Sequence, residues 1–209
     1  MREPSRPALR VALNMNNTAL VQRTDDGYSG PSIQIADRIG AEMDRPLIFI
    51  EHPNAQSVLQ AEPNGWDIAF LAIDPSRTDR IAFSDPYHSL EATFAVRDGL
   101  KHWSCDEVLQ GDHTIICATG AAYQARLSAL APKGPIVLAT SPDEARERFL
   151  SGEGQALAGI REALEAPKIP GAHILADSFA HIQQAVAVPI GNSAQMAMIN
   201  RVLRRRGAS

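Results

Sequence analysis

Cysteine is nearly missing from this chain of 209 residues, and so is any long apolar run. Two thiols, Cys105 and Cys117, exclude a disulfide framework and a four-thiolate metal centre. Cys117 lies in the run Ile115-Ile116-Cys117-Ala118 and reads as a small buried hydrophobe, and the spacing of the two gives no reason to join them. The longest apolar runs fall far short of the ~20 residues that cross a bilayer. The start, Met1-Arg2-Glu3-Pro4-Ser5-Arg6-Pro7, lacks the apolar stretch of a signal peptide, which leaves either a cytoplasmic protein or a chain cut at a mature start. A strong excess of either sign of charge is missing too. A net charge of −4 gives no global attraction to nucleic acid or to an anionic membrane. The one basic cluster, Arg201, Arg204, Arg205 and Arg206, falls at the end of the final helix, where cations complement the helix dipole.

The common catalytic signatures are also absent: no G-x-S-x-G, no P-loop, no H-E-x-x-H, and no cysteine set in a motif. His52, His88, His102, His113, His173 and His181 stand singly, without metal-ligand spacing. No cofactor is implied.

What remains is ordinary soluble composition, with 44% hydrophobic and 21% charged residues. The length suits one domain or two lobes of about 100 residues. Short apolar strands alternate with amphipathic helices, the pattern of an α/β fold with largely parallel sheet. Strands are expected at 9–13, 47–50, 67–71 and 91–96, with a hairpin tip at Asp25-Asp26-Gly27. Gly30-Pro31-Ser32 opens a helix whose Ile33, Ala36, Ile39 and Met43 recur at helical spacing. After a polar stretch, 97–110, the pattern restarts. It runs through a strand at 113–118, a helix at 120–130 and a strand at 136–139. A helix capped by Ser141 follows, with Pro142 first and Glu144 third. Strands at 155–157, 173–175 and 184–188, a helix near 160–165 and a last helix at 193–205 complete it.

Ligands of open parallel sheets bind beyond the carboxyl ends of strands. Two such places stand out. Asp74-Pro75-Ser76-Arg77 puts a guanidinium fork in a turn, suited to a carboxylate. Thr119-Gly120-Ala121 is a small-residue turn into a helix, where free backbone N–H groups and the helix dipole would favour an anion.

The segment 67–87, DIAFLAIDPSRTDRIAFSDPY, resembles the signature of the family 3 bacterial solute-binding proteins, the polar amino-acid receptors of ABC transporters. Arg77, Phe83, Ser84, Pro86 and Tyr87 fall in that family's register. Leu9 to Ala12, Gly27 and Gly30, Thr119-Gly120, Gly152 to Ala156, and Ala187-Val188-Pro189-Ile190-Gly191-Asn192 match further family motifs in order. The resemblance implies a periplasmic binding protein type II-like fold of two α/β lobes joined by two crossing strands, with ligand between them and hinge closure on binding. Mapped here, lobe one is 1–92 plus 187–209, and lobe two is 93–186. It further implies a periplasmic monomer that binds a small carboxylate-bearing solute and delivers it to an ABC-type membrane permease, with no enzymatic step. Two alternatives share the fold: a dehydratase of the cyclohexadienyl type, and the ligand-sensing domain of a signalling receptor.

By the same resemblance Arg77 takes the ligand carboxylate, with the Gly120 and Ala121 amides beside Thr119 as partners. Phe70, Leu71 and Ala72 form the lobe-one wall, and Asn14 and Asn17 stand where the family carries an aspartate and an aromatic. The family's ammonium-binding aspartate falls at Ile160, which has no charge to offer. Either the ligand is not a simple α-amino acid held in the usual way, and the neighbouring Arg161 faces it and suits a dianion such as a dicarboxylate or keto acid, or the register is off by one residue, Arg161 is solvated on its helix and another carboxylate takes the ammonium.

Overall fold

A computed structural model describes residues 6–61 and 65–205. Arg206 of the basic cluster and the residues before Arg6 lie outside them. In chain order the elements are β1 (Leu9–Asn14), β2 (Gln22–Thr24), β3 (Gly27–Ser29), α1 (Pro31–Met43), β4 (Leu47–His52), α2 (Ala55–Gln60) and β5 (Ile68–Ala72). A 3-10 turn (Pro75–Arg77) leads to β6 (Ile81–Arg97), a second 3-10 turn (Asp98–Leu100), α3 (Cys105–Gln110), β7 (Ile115–Ala118) and α4 (Gln124–Ala129). The rest are β8 (Ile136–Ala139), α5 (Pro142–Leu150), β9 (Ala156–Ile160), α6 (Arg161–Glu165), β10 (Ala172–Ile174), β11 (Ala180–Pro189) and α7 (Ser193–Arg204). Two compact units result, Met1–His88 with Gln183–Ser209, and Ser89–Ile182. The chain passes between them within β6 and again within β11.

In the first unit β1 pairs in parallel with β4 and β5, and β11 runs antiparallel to β5. The expected α1 forms because Pro31 starts it and Ile33, Ala36 and Ile39 bury one stripe. Its N-cap, Gly30, sits at φ 118°. A Cβ there would fall 2.3 Å from the Leu20 carbonyl oxygen, so only glycine lets the chain pass. One core cluster gathers Ala12, Val58, Trp66, Leu71, Ile81 and Ala187, with the Trp66 indole donating to the Val58 carbonyl at 2.8 Å.

In the second unit β7 pairs in parallel with β8 and β9, and β9 and β10 each run antiparallel to β6. Its core forms around Ile116, Phe149, Leu157 and Leu164. The Arg97 guanidinium lies 4.5 Å from the centre of the Phe149 ring. Ser141 caps α5 as expected, accepting from the Glu144 N–H at 3.1 Å, but the Glu144 carboxylate reaches back to Thr140 instead of Ser141.

Two details add to what was expected. The polar stretch 97–110 carries α3 behind a capping box formed by Ser104 and Glu107. The strand expected at 91–96 is the end of a 17-residue strand that contains Pro86. Proline is tolerated because the neighbouring backbone is served from outside the ladder. The Asp85 N–H donates to Asn200 Oδ1 at 2.8 Å, and Ser84 Oγ accepts from the Val186 N–H at 2.9 Å.

Candidate functional site

At the end of β5 the chain must leave the sheet, and Asp74 organises that exit. Its Oδ1 accepts from the Ser76 N–H at 3.0 Å and from the Ser76 hydroxyl at 2.7 Å, closing the 3-10 turn that carries Arg77. Its Oδ2 lies 3.1 Å from Arg77 Nε. The Arg77 side chain is 18% exposed, and its Nη1/Nη2 edge has no partner among the described residues. One aspartate therefore both builds the turn and aims the fork, a role the sequence reading passed over although Asp74 stands in the same motif.

Register places the other first-unit candidates. Phe70 and Ala72 share a face of β5, and Leu71 points the other way into the core cluster, 1% exposed. Of the three wall positions, Leu71 offers only its backbone. The Phe70 ring stands edge-on to Tyr87 at 5.5 Å, and the Tyr87 hydroxyl lies 2.7 Å from Ser32 Oγ. Asn14 ends β1, where its Oδ1 accepts from the Asn16 N–H at 3.2 Å. Asn17 is half-buried, with its Nδ2 3.5 Å from Gln184 Oε1. Arg77, Phe70, Ala72, Asn14 and Asn17 thus all belong to the first unit.

The turn at 119–121 departs from expectation. Its amides are not free. Thr119 N–H donates to the Ala139 carbonyl at 2.8 Å, Gly120 N–H to Gln124 Oε1 at 2.7 Å, and Ala121 N–H to the Ala118 carbonyl at 3.4 Å. The helix expected from Gly120 begins at Gln124 and is six residues long, so its dipole does not end at the glycine. Gly120 adopts φ 73° and nothing lies within 4 Å of where a Cβ would be.

Ile160 ends β9, half-buried and in register with Ala92. Arg161 matches neither reading of it. Its Nε donates to Glu91 Oε2 at 2.7 Å, its Nη1 to the Leu175 carbonyl at 2.9 Å, and its Nη2 to the Ala176 and Asp177 carbonyls at 3.0 Å each. All three guanidinium nitrogens are engaged in tying the segment after β10 to β6, so Arg161 is neither solvated nor a free cation.

Electrostatics elsewhere are structural. Burial pushes the Cys105 and Cys117 thiols up to about 12, far from nucleophilic use at neutral pH. Both cysteines are free and buried. Burial lowers the pKa of His52, whose Nε2 is enclosed without a hydrogen-bond partner. Among the described residues no group of three His, Cys, Asp or Glu is placed to hold a metal ion, and no helix is long and apolar enough to cross a membrane.

Residues 9–209 match the model of the bacterial extracellular solute-binding proteins, family 3. No curated protein sequence matches the chain. Among solved structures, an ancestral arginine-binding protein bound to arginine is similar with a TM-score of 0.81 at 19% identity, over 99% of this chain and 95% of that one. The holo arginine-binding protein ArgBP from T. maritima gives 0.78 at 20% identity, over 97% and 92%. The ancestral amino acid-binding protein AncCDT-1, a precursor of cyclohexadienyl dehydratase, gives 0.79 at 19% identity, over 97% and 90%. At such identities the likeness is one of fold, and the mixed α/β architecture with its large mixed sheet is that of type II periplasmic binding proteins.

Proposed function

Because the chain belongs to the bacterial extracellular solute-binding proteins, family 3, we propose that it binds a small carboxylate-bearing solute, an amino acid or related organic acid, and performs no covalent chemistry on it. The observation that carries this reading is the Arg77 fork. Asp74 holds Nε, and the two Nη groups are left to form the paired N–H bonds that a carboxylate accepts. Asn14, Asn17, Phe70 and Ala72, in the same unit as Arg77, complete the proposed site. Arg161 holds Leu175 to Asp177 in place and does not touch the solute. Delivery to an ABC-type permease in the periplasm belongs to the same reading.

Calorimetric titration and thermal unfolding against amino acids, dicarboxylates and keto acids test it. A true solute at about a hundredfold its Kd stabilises the chain by about 2.7 kcal/mol. Arg77→Ala abolishes that gain, and Arg77→Lys restores little of it, since an ammonium cannot form the paired contact. A silent panel, or an Arg77→Ala chain that binds as well as the parent, sinks the proposal. Uptake of the identified solute should fall when the gene is deleted, and unchanged uptake would remove the transport part.

A further inference from the structure

His52 closes β4 and is the register partner of Asn14, which closes β1. Its carbonyl accepts from the Met15 N–H at 2.9 Å, where the chain leaves β1. In the turn that follows, the Asn17 N–H donates to the Asn14 carbonyl at 3.1 Å, and the Leu20 and Val21 N–H groups donate to the Asn17 carbonyl at 3.0 Å each. Two residues of the proposed site, Asn14 and Asn17, thus flank a rung whose acceptor is His52. The preceding pair, Ala12 with Ile50, shares a face with Asn14 and His52, and Ala12 packs in a core cluster with Val58 of α2. The His52 imidazole therefore lies on the α2 side of the sheet, where its Nε2 is enclosed without a hydrogen-bond partner.

Among the described residues no charge stands by to hold a proton there. The helix α2 carries no ionisable residue. Glu51, the neighbour on β4, is on the opposite face and bonds Arg23 and Tyr28. Arg10 is near the other end of β1, held by Asp67. The helix α1 covers the face opposite His52, since a Cβ at its Gly40 would meet Leu47. Its Arg38 and Glu42 turn to Val202 and Arg205 of the α7 segment, and its Asp37 is exposed. Burial alone lowers the His52 pKa.

A neutral imidazole carries one donor and one acceptor, and an imidazolium two donors. An enclosed acceptor without a partner is tolerated more readily than an enclosed N–H. The form that fits is the neutral ring with its proton on Nδ1, and protonation strands an N–H at Nε2. Shifting the end of β4 until water reaches Nε2 relieves that and breaks the Met15 rung.

We infer that His52 is an acid-sensitive latch: neutral, it holds the β1 exit that carries Asn14 and Asn17, and protonated, it lets that exit loosen. Because burial lowers the folded pKa, the unfolded chain takes the proton first as pH falls through about 6.5, and stability is lost from there down to the folded value. The latch rests on the proposed solute site only for its use, since loosening needs no solute.

Amide hydrogen exchange of the full chain, followed by NMR without solute and corrected for the intrinsic pH dependence of exchange, tests this. From about pH 7.5 to about pH 5 the protection of the Met15 amide falls at least about threefold, with the midpoint at which the His52 ring protons titrate. The Thr119 N–H, bonded to the Ala139 carbonyl in the second unit, is the control and keeps its protection. His52→Phe, which keeps a ring and takes no proton, holds Met15 protection level over the same range. Unchanged Met15 protection in the parent, an equal fall at Thr119, or an equal fall in His52→Phe overturns the inference. If His52→Phe does not fold, the parent's own ring titration carries the test. A His52 midpoint at or above about 6.5, or one that differs from the Met15 midpoint, then overturns it. None of these outcomes touches the Arg77 reading, which stands or falls on the solute panel.

Discussion

Asp67 and Arg10 are joined through both backbone and side chain: the Arg10 backbone N–H reaches Asp67 Oδ2 at 2.9 Å, its Nη2 and Nε reach Oδ1 at 2.7 and 3.3 Å, and the Asp67 N–H donates to the Arg10 carbonyl at 2.9 Å. Arg45 adds a contact to Oδ2 at 3.1 Å. Burial alone would raise the pKa of Asp67, but the hydrogen bonds from Arg10 and the charges of Arg10 and Arg45 outweigh it and hold the carboxyl below its ordinary range. A depressed folded pKa means stability that is present above the unfolded value of about 4 and is lost as pH falls through the folded one. Asp67→Asn therefore lowers stability by about 1–3 kcal/mol at pH 7. Urea titrations at descending pH should show the gap to the parent closing below pH ~4. A gap that does not change with pH contradicts the ion-pair account.

Gly30→Ala places a methyl carbon against the Leu20 carbonyl at a backbone angle hostile to side chains. A loss of about 2–4 kcal/mol in chemical denaturation follows, from the clash and from the positive φ together. A neutral substitution would mean that the loop before α1 relocates at no cost.

Arg161→Ala removes four hydrogen bonds, one of them to Glu91, and takes the donor from the Ala176 carbonyl, while the Leu175 and Asp177 carbonyls keep the Thr93 hydroxyl. The melting midpoint should drop by several degrees, and Arg161→Lys should recover only part of it. A variant with an unchanged midpoint but no solute binding would instead make Arg161 a ligand cation.

Cys105 and Cys117 should resist Ellman's reagent at pH 8 in the native chain and react together once denaturant is added, as thiols with pKa values of about 12 are almost wholly protonated. Prompt labelling of either thiol in the native chain refutes that burial.

Much of the architecture was legible because strands such as 9–14 and 136–139 are short, mostly apolar runs between turn segments, too short for helices. The hidden elements were hidden for particular reasons. Ser104-x-x-Glu107 was a readable capping signal in a stretch set aside as polar. Proline counts against a long β6 in sequence, and the bonds that let the strand accommodate Pro86 come from far along the chain, Asn200 serving Asp85 and Val186 meeting Ser84. At the site, the motif around Arg77 was visible, but the carbonyls that occupy Arg161 and the side-chain oxygen that fills the Gly120 amide depend on folded geometry.

The path of β11 bears on how the chain is made. Among the described residues, 184–187 are the strand partners that β5 has on the side away from β1, and α7 buries Ile199, Val202 and Leu203 after them. On the ribosome β5 must therefore wait, for on the order of ten seconds at ordinary elongation rates, with one edge unpaired. Ser89–Ile182 emerges whole during that wait, so the inserted unit can finish folding before the unit that began first. Nascent chains are most vulnerable to edge-to-edge aggregation in that interval, which makes it the point at which a holding chaperone would act.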